Sequence, residues 1–165
     1  MTDTTPTESN LSGLDRKDFQ KNINSRKTDL YILKNAQGME VAVTNYGCAI
    51  LSIMVPDKNG KFANVILGHD SIEHVINSPE PFLSTTIGRY GNRIANGKFT
   101  LYGEEHQLTV NNGPNSLHGG PTGFHARVWD AVQPNESTVI FNYTSADVKR
   151  LPRYFRNRND ISSGR

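Results

Sequence analysis

Short runs of apolar residues, many of them alternating with polar ones, recur along this chain at the spacing expected of β-strands. Residues 28–33 and 39–45 are two such runs, and the segment NAQG at 35–38 between them predicts a β-hairpin. Residues 49–55 are almost continuously apolar and end at PDKNG, which is a strong turn signal. The pattern therefore predicts a buried strand after the hairpin.

The same pattern continues through the middle of the chain and beyond. Residues 65–67 predict a further strand, 71–76 a single helical turn opened by Asp70 or Ser71, and 77–86, with two prolines, an irregular surface loop. All-β is the fold class that this succession indicates. Two more hairpins are predicted, by the paired runs 99–102 with 106–110 and 127–132 with 138–143.

Length and composition fit one domain with flanking segments. The chain has 165 residues, of which 35% are hydrophobic. Polar residues dominate 1–12, which predicts a flexible leader, and 13–147 form the body. There is no secretory-type apolar segment and no stretch near the roughly 20 residues that cross a bilayer. With Cys48 as the single cysteine, which excludes an internal disulfide, we expect a cytoplasmic protein without a membrane partner.

The net charge of +2 is unevenly distributed. Residues 148–165 hold six of the 18 Lys and Arg but only one of the 16 Asp and Glu. The rest of the chain is slightly acidic, which argues against a nucleic-acid partner. The tail alone has the composition of a basic arm with Tyr154 and Phe155 interleaved, so binding of single-stranded nucleic acid by the tail is an alternative.

Two segments are dense in residues that carry chemistry. The first is GRYGNRI at 88–94, with Asn92 and Arg93, whose glycines lack the spacing of a dinucleotide fold. The second is NNGPNSLHGG at 111–120, where His118 is flanked by glycines that let a ligand approach. Amide, guanidinium and imidazole are the donors that a neutral polyhydroxyl ligand requires, so sugar binding is the hypothesis. Aromatic residues that could stack on a sugar are Phe82, Tyr90, Phe124 and Trp129, the last more typical of a core.

No pattern of metal ligands or of a covalent nucleophile is recognisable. His118 and His125 are seven residues apart in a glycine-rich loop, which is weak evidence for zinc. The chain has no nucleophile elbow and no Cys-His pair with an orienting acid. We therefore predict no metal site.

The two chemistry-bearing segments, GRYGNRIANGKF at 88–99 and NGPNSLHGG at 112–120, resemble the galactose mutarotase (aldose 1-epimerase) family in order and spacing. The flanking pieces VTNYG, VILG, GFHARVW and YTS are also similar to that family, and the resemblance covers about 13–147. It implies part of a large β-sandwich, the supersandwich, in which a concave face binds a hexose. It also implies a monomer when the fold is intact.

The activity that the resemblance implies is interconversion of the α and β anomers of aldoses such as galactose and glucose, in hexose metabolism and without a cofactor. Some relatives use calcium, which stays open although no carboxylate cluster is evident. A general base takes the anomeric proton while a general acid protonates the ring oxygen, and the ring opens and recloses. The family's sugar contacts carry over to Asn92, Arg93 and His118, and Arg93 and His118 would support catalysis by stabilising charge near the ring.

The sequence departs from the family at the catalytic pair. The family's acid is a second histidine and its base a glutamate, both later in a longer chain, and no residue here matches either. We therefore expect a truncated, poorly active form of the enzyme. The alternative is a noncatalytic carbohydrate-binding module that uses the same three residues.

The tail from Val148 onward is unlike the family. Reading 150–161 one nucleotide later with permitted codons can give GFPGTFVTVMTY, which restores the strand alternation that the basic text lacks. The hypothesis is that 148–165 result from a frameshift.

Overall fold

The computed structural model describes residues 10–145 and, for the backbone alone, 155–162. The all-β prediction is confirmed, because the described residues form thirteen strands and one short α-helix, α1 (Ile72–Ile76). Single 3₁₀ turns lie at Arg16–Phe19, Ala95–Gly97 and Phe124–Ala126. The strands are β1 (Asn22–Ile23), β2 (Arg26–Lys27), β3 (Leu30–Lys34), β4 (Glu40–Thr44), β5 (Ile50–Pro56), β6 (Phe62–Asn64), β7 (Arg93–Ile94), β8 (Lys98–Leu101), β9 (Glu104–Gln107), β10 (Ser116–Leu117), β11 (Asp130–Asn135), β12 (Thr138–Ser145) and β13 (Phe155–Ser162).

The first large sheet has the antiparallel order β3-β4-β5-β6. Its turns form where the sequence predicts them, since Asn35 Oδ1 accepts the N–H groups of Gln37 and Met39, at 3.1 and 2.9 Å. In the same way Asp57 Oδ1 accepts the N–H groups of Asn59 and Lys61, at 2.8 and 2.9 Å. The predicted hairpin and the strand after it are confirmed.

The strand predicted at 65–67 is wrong. The ladder with β5 ends at Asn64, and only one backbone bond follows it, from the Val65 N–H to the Ile53 carbonyl at 3.0 Å. Asn64 Oδ1 accepts the N–H groups of Ile53 and Ile66, at 3.0 and 3.3 Å. Val65 and Leu67 are then exposed, at 60% and 76%. The asparagine side chain replaces a backbone partner and ends the strand, so apolar residues alone were a misleading signal.

The helical turn predicted at 71–76 is confirmed as α1. Ser71 precedes it and its Oγ accepts the His74 N–H at 3.3 Å, which is an N-cap contact. The helix buries Ile72 and Val75 in a cluster that also holds Phe19.

Strand β4 lies at the centre of the core and all five of its residues are buried. On one face, Val41 and Val43 pack in a cluster with Trp129 and with Phe141 of β12. On the other face, Ala42 belongs to the cluster of α1. Both faces of the first sheet are thus covered. The sheet that contains β12 packs on the face of Val41 and Val43, as in a sandwich.

The two later hairpins are confirmed, β8 with β9 and β11 with β12, but their bounds differ from the prediction. The turn of the first falls at 102–103, so its second strand begins at Glu104 and 108–110 are not part of it, and in the second hairpin 127–129 precede the strand. Backbone pairing continues to β13, which runs antiparallel along the whole of β12 from Phe155 opposite Ser145 to Ser162 opposite Thr138. A strand therefore forms in part of the tail although its sequence pattern did not indicate one. The frameshift hypothesis stays a prediction.

The end of the segment predicted as a leader is hydrogen-bonded to the core. The carboxylate of Glu40, which is fully buried, accepts the N–H groups of Leu11 and Ser12 at 2.9 and 3.0 Å. Lys34 Nζ lies 4.0 Å from the same carboxylate. The rest of the predicted leader, residues 1–9, lies outside the described residues.

Candidate sugar-binding site

The two segments that the sequence singled out are joined by a short antiparallel ladder. Arg93 of β7 lies opposite Leu117 of β10, and Ile94 lies opposite Ser116. Asn111 supports the ladder from the side, since its amide accepts the Leu117 N–H at 2.7 Å and donates to the Leu117 carbonyl at 3.0 Å. This pairing places the residues before β7 beside those after β10.

Asn92 and His118 are bonded to each other at the end of this ladder. The His118 N–H donates to the Asn92 carbonyl at 3.0 Å, and the Asn92 N–H donates to His118 Nδ1 at 2.9 Å. Both residues have a left-handed backbone, with φ of 66° and 54°. Because Nδ1 accepts a hydrogen bond, the ring hydrogen of the neutral imidazole is on Nε2. His118 is thus a fixed Nε2–H donor.

Arg93 is exposed, and two asparagines hold its guanidinium. Nε donates to Asn112 Oδ1 at 2.9 Å and Nη1 donates to Asn92 Oδ1 at 3.3 Å. Asn92 therefore contacts both other predicted site residues, His118 through its backbone N–H and Arg93 through its side-chain oxygen. The structure brings together the three residues that the sequence predicted.

Close backbone packing fixes the distance between the two segments. A Cβ on Gly119, whose φ is +88°, would lie 1.9 Å from the Gly88 carbonyl oxygen. That same oxygen accepts the Phe124 N–H at 3.1 Å. Only glycine fits at position 119, because a larger residue would push the His118 loop away from 88–89.

One aromatic ring, that of Phe82, contacts both His118 and a second imidazole, that of His125. The Phe82 ring makes edge contacts with the rings of His118 and His125, with centroids 4.8 and 4.6 Å apart. His125 is buried, and its Nδ1 has no hydrogen-bond partner among the described residues. Burial, followed by the fields of His118 and Arg127, lowers the pKa of His125. The imidazole whose pKa is lowered by burial thus packs against Phe82, the ring that also contacts His118.

The four aromatic residues proposed from the sequence have different roles. Phe82 contacts His118, and Tyr90 is 57% exposed two residues before Asn92. Phe124 and Trp129 are buried in the core, where the Trp129 Nε1–H donates to the Phe124 carbonyl at 3.2 Å. Those two are not available to stack on a ligand.

Sequence reasoning missed Arg89 and Asn112. The Arg89 guanidinium donates to Ser145 Oγ at 2.9 Å and to the Ser145 carbonyl at 3.2 Å, which ties the first segment to the end of β12. Asn112 begins the motif NGPNSLHGG, which by itself indicates no role for it. Both residues lie in the polar segments that the sequence singles out, and this was the signal that could have pointed to them. Their partners are distant in sequence, however: Ser145 is 56 positions from Arg89, and Arg93 is 19 positions from Asn112.

The site is a set of hydrogen-bond donors without an acid–base pair. Within 10–145, no carboxylate contacts Asn92, Arg93 or His118. Among the described residues, no cluster of three or more His, Cys, Asp or Glu could hold a metal ion. Such a set of donors suits a neutral ligand rich in hydroxyl groups.

Comparison with known proteins decides the family. The sequence profile described as aldose 1-epimerase matches residues 29–154. The chain belongs to the aldose 1-epimerase family. Bovine galactose mutarotase is 43% identical over 91 residues, which are 55% of this chain and 26% of that protein. Aldose 1-epimerase of Escherichia coli is 40% identical over 118 residues, which are 72% of this chain and 34% of that protein.

The fold agrees with other members of the aldose 1-epimerase family. A solved aldose epimerase homologue from C. elegans has 29% identity and a TM-score of 0.76, over 82% of this chain and 42% of its own. The match spans about a quarter of the length of the bovine protein and about a third of that of the E. coli protein. No helix among the described residues is long and apolar enough to cross a membrane.

Proposed function

We propose that this chain binds a hexose through Asn92, Arg93 and His118 and that its activity is interconversion of the α and β anomers of aldoses such as galactose and glucose, in hexose metabolism. The observation that carries the proposal is the position of Asn92, which is bonded to both other residues. Family membership supports the reaction class. The proposal includes a cytoplasmic location and a monomeric protein.

The proposed contacts use the donors for which the described part of the chain supplies no acceptor. The Nε2–H of His118, the N–H groups of Arg93 Nη2 and the amide nitrogen of Asn92 can each donate to a sugar oxygen. A donor held in place stabilises negative charge that develops on the ring or anomeric oxygen as the ring opens. Arg93 and His118 are therefore proposed as supporting groups for catalysis.

Efficient catalysis also requires a base for the anomeric proton and an acid for the ring oxygen. Each such group typically contributes about 10²–10⁴ in rate. His118 Nδ1 is already occupied by the Asn92 N–H, and no carboxylate contacts the three residues in the region that the structure describes. We therefore propose hexose binding with weak acceleration of mutarotation. The same observation favours the second candidate, a noncatalytic carbohydrate-binding module.

The test combines polarimetry with NMR. Mutarotation of fresh α-D-galactose is followed with and without the chain, and ¹⁵N-labelled chain is titrated with D-galactose and with D-glucose. We expect shifts at Asn92 and His118, loss of those shifts in His118→Ala, and unchanged binding in the control His74→Ala, which lies on α1 and is exposed.

The outcomes separate the candidates. Weak acceleration that His118→Ala removes supports the enzyme, and binding without acceleration supports the module. If neither sugar shifts a resonance of the three residues at millimolar concentration, the proposed function is wrong.

A further inference from the structure

Asn112 contacts the site from a position that the family resemblance gave no role. Its Oδ1 accepts the Arg93 Nε–H at 2.9 Å, the shorter of the two hydrogen bonds to the guanidinium. We propose that Asn112 is a positioning residue, which orients the guanidinium of Arg93 toward the hexose. This inference rests on the proposed function.

The backbone around Asn112 is itself held in place. Asn112 and Asn115 form a bridge, in which each donates its N–H to the carbonyl of the other, at 3.1 and 3.0 Å. Asn115 Oδ1 in turn accepts the Asn96 N–H at 3.3 Å, which attaches the turn to the residues that follow β7. Asn112 Oδ1 is therefore an acceptor on a fixed support.

The hydrogen bond determines how Arg93 presents its remaining donors. An exposed arginine has many rotamers, and ordering it costs side-chain entropy when a ligand binds. With Nε bonded to Asn112 and Nη1 to Asn92, the guanidinium plane is fixed before the ligand arrives, and no described residue accepts from the N–H groups of Nη2. Preorganisation of this kind raises affinity without a new ligand contact.

Three substitutions separate positioning from a general structural role. Asn112→Leu removes the acceptor, whereas Asn112→Asp retains an oxygen at the same place and adds an attractive charge. Arg93→Lys keeps the positive charge but has no Nε–H, so it removes the partner of Asn112. Asn135→Leu is the control at a distance from the site, since the Asn135 Oδ1 is likewise a hydrogen-bond acceptor, for the Ser137 N–H at 3.0 Å, but contacts no site residue among those described.

The experiment measures D-galactose affinity by NMR titration of the full chain and records the Arg93 Nε–H cross peak. We expect Asn112→Leu to weaken binding about tenfold, as for one lost hydrogen bond, and to shift the Nε–H peak. Asn112→Asp should bind within about threefold of the wild type. When Arg93→Lys is already present, adding Asn112→Leu should not lower the affinity for D-galactose any further.

Each outcome decides the proposal. It is overturned if Asn112→Asp loses as much affinity as Asn112→Leu, if the two losses add in the Arg93→Lys background, or if Asn112→Leu leaves the Nε–H peak unchanged. If Asn112→Leu does not fold, the decision rests on Asn112→Asp: its Arg93 Nε–H peak must shift and its affinity for D-galactose must stay within about threefold of the wild type. Should the wild type bind no hexose while the Nε–H peak moves as expected, the proposed function fails and the hydrogen bond between Asn112 and Arg93 stands.

Discussion

Replacing Gly119 with alanine is expected to separate the two halves of the site. The new methyl group would lie 1.9 Å from the Gly88 carbonyl oxygen and 2.6 Å from its carbon. Both are backbone atoms and cannot rotate away as a side chain could. The segment after β10 would have to move, and the hydrogen bonds between Asn92 and His118 would lengthen.

The loss of stability in Gly119→Ala has two causes, the left-handed backbone and the steric clash. A left-handed backbone costs an L-residue about 1–2 kcal/mol, and φ at Gly119 is +88°. Forcing a methyl group into a packed region typically costs about 1–3 kcal/mol more. The free energy of unfolding should therefore fall by about 2–5 kcal/mol, which is a large part of the stability of an ordinary domain.

Two other glycines of the same region allow the backbone cost and the steric cost to be measured separately. Gly113 has φ of +56° and open space around its Cβ position, so Gly113→Ala carries only the backbone cost. Gly91 has neither a positive φ nor a close neighbour, since Ile87 Cγ2 is 3.8 Å from its Cβ position. Gly91→Ala should change the free energy of unfolding by less than about 0.5 kcal/mol.

The assay is urea denaturation of the three variants and the wild type, followed by circular dichroism. We expect the order of stability wild type, Gly91→Ala, Gly113→Ala and, far below, Gly119→Ala. Equal midpoints for Gly119→Ala and Gly113→Ala would show that the close approach to Gly88 does not hold the site together, and the reasoning would be refuted.

The remaining predictions concern the support of the site and of the core. Phe82→Leu should raise the dissociation constant for galactose about threefold by NMR titration, because the loss of an aromatic pair costs about 0.5–1.5 kcal/mol; an unchanged constant contradicts a role in holding His118. Glu40→Gln should lower the free energy of unfolding by about 1–3 kcal/mol, since the buried side chain loses one of its two acceptor oxygens and one N–H loses its partner. Glu136→Gln, at an exposed position, should leave the free energy of unfolding unchanged. Because the pKa of His125 is lowered in the fold, the unfolded chain takes up its proton first, so stability should decline as the pH falls below about 6.5. His125→Phe should reduce this decline in urea midpoints between pH 5 and 8, and an equal slope would contradict it.

Local signals were sufficient for much of the fold. The hairpin of β3 and β4 follows from alternation and from Asn35, whose side chain builds the turn that its sequence predicts. The short helix follows from Ser71, because an N-cap acts over only three residues. At 65–67 the apolar pattern indicates a strand that does not form, because the Asn64 side chain accepts the Ile53 N–H in place of a backbone carbonyl.

The site residues were found for a different reason. Asn92, Arg93 and His118 belong to dense polar motifs and to a family pattern, so their types and spacing carried the signal. Phe82 was named as a candidate stacking ring, but its contact with His118 spans 36 positions, and its packing against buried His125 depends on tertiary structure. No property of the sequence near position 82 encodes those distances.

The most direct test of the site is the imidazole ¹⁵N spectrum of His118 with and without D-galactose. Because Nδ1 accepts the Asn92 N–H, we predict that the ring hydrogen is on Nε2 and that the Nε2–H resonance shifts when the sugar is added. The same Nε2–H should not move with an equal concentration of an uncharged compound that has no sugar ring, such as ethylene glycol. A His118 ring that carries its hydrogen on Nδ1, or an Nε2–H resonance that does not respond to galactose, would contradict the central claim.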